Sequence, residues 1–227
     1  MDWTASPGQP RPVEQDAFRL LAVLHAFGIH SADAPPYLVG ESLLRRLDQL
    51  VREPVTLAHV LTDRISRHPD GPAVRGRYVR RVRRLIYGVG KRRPAPAGRP
   101  LYPFNPPAWE RWDDTLAFLT CRGLLTVRSD DGGEDGTGPR VLYGLTARGV
   151  EQLVAAESVL APYRERCQLL DELLVGSLLG EGDPEHHLER YLESLGRRLA
   201  RFRHDEQLSP ADDLFGQLFQ NTFGEPL

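Results

Sequence analysis

The sequence predicts a mainly α protein with one two-strand β-hairpin near its middle. Three observations carry this reading. Apolar residues recur at helical spacing through most of the 227 residues. Only residues 124–145 read as two short strands about a polar, glycine-rich turn. The composition, 41% hydrophobic and 26% charged, suits a chain that buries an ordinary core.

Residues 1–12 hold three prolines and little apolar content, which predicts a disordered tail. A helical module is expected over 13–90, either a plain helical bundle or a second, degenerate helix-turn-helix. Its first helix, Val13 to Phe27, turns Phe18, Leu21, Ala22, Leu24 and His25 inward, and Gly28 to Val39, with Pro35-Pro36, reads as a loop. Residues 40–52 form an amphipathic helix on Leu43, Leu44, Leu47, Leu50 and Val51. Pro54 opens the next helix at its first turn. Val74 to Val89 follows, with Tyr78, Val82, Leu85, Ile86 and Val89 on one face.

Residues 91–107 are a proline-rich connection, with six prolines from Pro94 to Pro107. A core segment is expected over 108–155. In it a helix at 108–122, bearing Trp112, Leu116 and Leu119, is closed by Gly123. Strands at 124–128 and 140–145 flank the tip SDDGGEDGTGP, and Thr146 caps the next helix. Residues 156–227 read as a C-terminal helical hairpin. Pro162 is expected to kink or end its first helix. Asp183-Pro184 begins a long helix carrying Leu188, Tyr191, Leu192, Leu195, Leu199 and Phe202.

The formal charge of −2 conceals a segregation. Between Asp70 and Glu110 lie ten of the 29 basic residues and none of the 31 acidic ones, leaving 19 basic against 31 acidic elsewhere, or −12. Arg77, Arg80, Arg81 and Arg84 follow i, i+3, i+4, i+7 spacing, a cationic stripe continued in sequence by Lys91, Arg92 and Arg93. Such a stripe is either a solvated helix face or a contact for nucleic acid or an acidic protein. Trp109, Phe215, Phe219 and Phe223 are the candidate partner-binding aromatics. The phenylalanine stripe either folds back on the body or docks into a partner.

The run CRGLLTV at 121–127, a polar hairpin and VLYGLTARGVEQL at 141–153 resemble the winged-helix proteins of bacteria. In that family a helix ends in a short Gly-Leu-Leu turn, a two-strand wing follows, and a Leu-Thr-x-x-Gly turn opens another helix, as Leu145, Thr146 and Gly149 do here. The resemblance implies a winged helix over roughly 108–155. More loosely, RRLDQLVREPVTLAHVL, NPPAWERWDDTLAFLTCRGLL and NTFGEPL resemble the small winged-helix subunits that accompany large P-loop ATPases in condensin-like systems. That likeness implies a non-enzymatic adaptor with protein partners, a large ATPase among them, and DNA met through the arginine helix.

The alternative is a DNA-binding transcriptional regulator, a homodimer through its last helices. In the common mode of that family the helix at 108–120 enters the major groove and the wing touches phosphate. Glu110, Asp113 and Asp114 on that helix, and Asp130, Asp131, Glu134 and Asp135 on the wing, oppose it, because phosphate contact needs cations.

No catalytic pattern is found. GVGK at 88–91 lacks the spacing of a phosphate-cradling loop, and the adjacent His186-His187 diverge on a helix. Cys121 has no companion at metal spacing, and Ser177 has no nucleophile elbow. No cofactor and no metal are expected. No run of about 18 apolar residues suggests a membrane span. Met1-Asp2-Trp3 lacks the start of a signal peptide, and two cysteines fit a cytoplasmic protein.

Overall fold

The computed structural model describes residues 12–31, 34–68, 71–87, 112–130, 140–175, 188, 190, 191, 193, 194 and 211–224. The protein is mainly α, with a small antiparallel sheet. In chain order the elements are α1 (Pro12–Phe27), β1 (Tyr37–Val39), α2 (Glu41–Arg52), α3 (Pro54–Ser66), α4 (Gly71–Tyr87) and α5 (Trp112–Cys121). They continue with β2 (Leu125–Asp130), β3 (Arg140–Leu145), α6 (Ala147–Ala155), α7 (Glu157–Leu170), a π-helical turn (Asp171–Val175) and α8 (Ala211–Phe223). The expected N-terminal tail apart from Pro12, which begins α1, the proline-rich connection, the hairpin tip 131–139 and most of the helix after Asp183 lie outside the described residues.

The chain forms two compact units, the division falling within α2 and within α7. Unit 1 joins residues 1–48 to 106–164, and unit 2 joins 49–105 to 165–227.

In unit 1, α1 is buried along Leu20, Leu21, Val23 and Leu24 and packs against α5, α6 and the sheet. His25, expected inward, is exposed: the continuous burial along α1 runs from Arg19 to Leu24 and ends before it. The sheet order is β1-β3-β2, all antiparallel, with Leu38 and Val127 both opposite Tyr143. Residues 37–39 fall within the loop expected over Gly28 to Val39. They form a strand instead, because Pro35-Pro36 ends before Tyr37 and the backbone there finds β3 about a hundred residues onward. Leu145 N donates to Pro36 O at 2.9 Å and Gly40 N to Val141 O at 3.0 Å, extending that pairing at both ends.

The turn from α5 into β2 and the turn from β3 into α6 meet through capping groups. Gly123 has φ 64, the left-handed region that ends a helix. The Thr146 hydroxyl donates to Gly123 O at 2.7 Å and accepts from Gly149 N at 2.9 Å. A Cβ on Gly149 would lie 2.3 Å from Leu124 O, so the turn closes only with glycine there. Pro162, expected to kink or end a helix, lies inside α7. The break comes earlier, at Ala156 (φ −97, ψ 21), where the cap is already made. Pro162 leaves the Ser158 carbonyl without its helical donor, and both residues are exposed. Arg19 is a buried charge, donating to Asp48 at 2.7 Å and 3.1 Å and to Asp16 at 2.6 Å. Burial alone would lower its pKa, but the two carboxylates outweigh it and raise it.

Unit 2 is helical among its described residues. Pro54 starts α3, which buries Leu57, Ala58, Val60, Leu61 and Ile65. Against it pack α4, through Tyr78 and Val82, the π-helical turn, and α8 through Phe219. The Tyr191 hydroxyl donates to Asp63 Oδ2 at 2.8 Å, and Arg64 Nε donates to Leu173 O at 3.1 Å. His59 is buried in this core, and desolvation pushes its pKa down to about 3.

Candidate functional site

Among the described elements, α4 carries the largest charge of one sign, six arginines and no carboxylate. Gly71-Pro72 starts this helix without losing a ladder bond, and Tyr78 and Val82 fix its inward face. The four stripe arginines then divide into two kinds. Arg77 and Arg80 are exposed and lie within ion-pair distance of no carboxylate among the described residues, although the Arg77 charge also acts on Glu172. Arg77 lies 5.3 Å over the Tyr78 ring. Arg81 instead donates to Glu172 Oε2 at 3.1 Å, a carboxylate that also receives the Tyr78 hydroxyl at 2.7 Å and, on its other oxygen, Gln168 Nε2 at 2.8 Å. Arg84 donates to Glu165 at 3.2 Å.

This arrangement is partly a binding surface and partly internal structure. Burial raises the Glu172 pKa, but the Tyr78 hydrogen bond and the Arg81 charge outweigh it, and the carboxyl sits below its usual range. Tyr78 is moved the other way, first by burial and then by its bond to Glu172. Glu165, Gln168 and Glu172 were not singled out in sequence. Their spacing, i, i+3, i+7, matches the arginine spacing on α4, and that match is the signal that finds them. The other cationic candidates, Lys91, Arg92 and Arg93, lie outside the described residues.

The outward face of α5 has the opposite sign. Asp113 and Asp114 are exposed in its first turn, followed outward by Ala117, Thr120 and Cys121. Trp112, Thr115 and Leu119 are the buried side, and the Arg45 guanidinium lies 5.1 Å over the Trp112 ring. On the strands Val127, Arg128 and Arg140 are exposed. Of the partner-binding aromatics, Trp109 lies outside the described residues, as does the Phe215 side chain. Phe219 is fully buried, its ring 4.4 Å from Phe223 and 5.4 Å from the Arg83 guanidinium carbon. That helix face is used inside unit 2.

Both cysteines are free, Cys121 exposed and Cys167 buried. Among the described residues no group of three or more His, Cys, Asp or Glu side chains is placed to hold a metal ion. Among the same residues no helix is long and apolar enough to cross a membrane. Comparison of the chain with protein families, with curated proteins and with solved structures finds no match.

Proposed function

We propose that the chain is a non-enzymatic adaptor, a small cytoplasmic subunit of a larger bacterial assembly that acts on nucleic acid together with a P-loop ATPase. In this reading unit 1 is a winged helix made of α1, β1, the start of α2, α5 and the β2–β3 wing. The sheet order β1-β3-β2 and the packing of α1 on α5 support it. On this reading the winged helix takes in α1, β1 and the start of α2 as well as residues 108–155, and residues 49–105 are an insertion that begins within α2.

The observation that carries the functional reading is the separation of charge by element. Arg77 and Arg80 stand exposed on α4, while Asp113 and Asp114 occupy the outward face of α5. Neutralising a phosphate backbone needs the first set and is opposed by the second. A regulator that inserts α5 into the major groove would carry two carboxylates toward phosphate, so that alternative is disfavoured. Unit 1 then contacts protein, and α4 contacts the nucleic acid.

The test is affinity purification of the full chain with mass spectrometry, joined to duplex DNA binding across a salt series. A stoichiometric ATPase is expected in the first. In the second, log affinity falls with log salt, and Arg77→Gln and Arg80→Gln each reduce that slope by about 0.9. Arg81→Gln lowers thermal stability and leaves the slope closer to that of the unmodified chain. No duplex binding at low salt overturns the role of α4.

A further inference from the structure

Unit 1 contains a cleft that neither the arginine helix nor the outward face of α5 uses. It has a volume of about 360 Å³ and lies among α1, the end of α5 and α6. Ala17, Leu21 and Leu119 form a buried floor. Phe18, Phe118 and Leu124 stand half-exposed around it, three large apolar side chains facing one opening. Polar groups come at the rim: Arg122 and Arg148, with Gln152 and Glu14.

We infer that this cleft is a binding site for a small apolar carboxylate, a single ring or short hydrocarbon carrying one carboxyl group. Volume sets the size, since small-molecule sites begin at roughly 300 Å³. Lining sets the body of the ligand, because half-exposed apolar surface gains about 25 cal/mol for each Å² taken from water. Charge sets the head. Two guanidiniums oppose one carboxylate at the rim, which favours an anion, and Glu14 disfavours a second negative group on the ligand.

The two arginines have different roles. The Arg122 guanidinium carbon lies 5.3 Å over the Phe118 ring, which holds it at the cleft wall. Arg148 is exposed and makes no hydrogen bond or ion pair among the described residues. It stands in the first turn of α6, whose start is fixed by the Thr146 cap. A carboxylate accepting from Arg148 would complete a rim whose apolar floor is already formed, so binding requires little rearrangement.

The experiment uses the full chain, titrated with hydrocinnamate and with its neutral analogue hydrocinnamide, and followed by backbone amide NMR shifts. Saturable shifts confined to α1, α5 and α6 are expected with the carboxylate, and binding of the amide weaker by about tenfold or more. Arg148→Gln should remove that preference. Gln152→Trp, which fills the rim from an exposed position, should abolish binding of both while the spectrum of the fold persists. Absence of saturable binding overturns the site. Equal binding of acid and amide, or an unchanged preference in Arg148→Gln, overturns the assignment of a carboxylate. A cleft that ignores both small probes but takes up an acidic amphipathic peptide is a partner-docking groove, and overturns the small-ligand class.

Discussion

At the scale of single residues, His59 and Gly149 show how a local environment becomes a measurable property. His59 is held neutral by burial, with its pKa pushed down to about 3. An unfolded histidine titrates near 6.5, so from there down to about 3 the unfolded chain takes a proton that the folded one refuses. Stability is therefore full above pH 6.5 and falls by about 1.4 kcal/mol for each pH unit below it. Glu172, depressed in the fold, adds loss of the same sign at lower pH. Urea denaturation at several pH values reads this slope, and His59→Gln should flatten it between pH 6.5 and 4; an unchanged slope would refute the assignment. Gly149→Ala places a methyl group 2.3 Å from a backbone oxygen that has no rotamer to change. A loss of about 1–3 kcal/mol is expected, against about 1 kcal/mol for Thr146→Ala, which removes the cap and the hydroxyl's bond to Gly123 O. Equal midpoints for Gly149→Ala and the unmodified chain would contradict that contact.

At the scale of elements, α4 joins an exposed arginine face to a weak helix interior. Gly76 is exposed in mid-helix, and an added Cβ there would meet nothing within 4 Å. Gly76→Ala is expected to stabilise the protein by about 0.5–1 kcal/mol and to leave the salt slope of DNA binding unchanged. A fall in stability would mean that α4 is not helical through this point. The helices of this protein were largely legible in its sequence, because periodicity reports a buried face whatever covers it. Leu43, Leu44, Leu47, Leu50 and Val51 are all buried along α2, as their spacing indicates. Gly123 announced the end of α5, and Thr146 the start of α6, through local backbone and hydrogen-bonding chemistry. What escaped depends on distant partners. Three residues of β1 are too few to show an alternation, and their partner strand begins at Arg140. The arginine stripe was legible, but not the pairing of Arg81 with Glu172 or of Arg84 with Glu165, which spans 91 and 81 residues. The cleft among α1, α5 and α6 was likewise invisible, since its lining residues run from Glu14 to Gln152.

For the whole molecule, the near-zero charge resolves along the division into units. Unit 1 holds 10 basic and 15 acidic residues, a net −5, and unit 2 holds 19 and 16, a net +3. A polyanion is therefore drawn to unit 2 before any specific contact is made, and the attraction weakens as salt shortens the screening length. Hydrogen exchange in the presence of a short duplex should slow in and beside α4 and remain at free rates in α5 and β2. Protection of α5 instead would restore the groove-reading regulator.

The pairing of β1 with β3 also bears on how the protein is made. The strand at Tyr37–Val39 has its only hydrogen-bonded neighbour strand in residues 140–145 among those described. At roughly 5–20 residues per second, the intervening hundred residues occupy the ribosome for on the order of 5–20 seconds. Throughout that interval α1, with Leu20, Leu21 and Leu24 buried in the finished fold, lacks the sheet and helices that cover it. The nascent chain thus carries an uncovered apolar helix while residues 49–105 emerge. It is in this window that holding chaperones, or premature pairing between neighbouring nascent chains, would act on the protein.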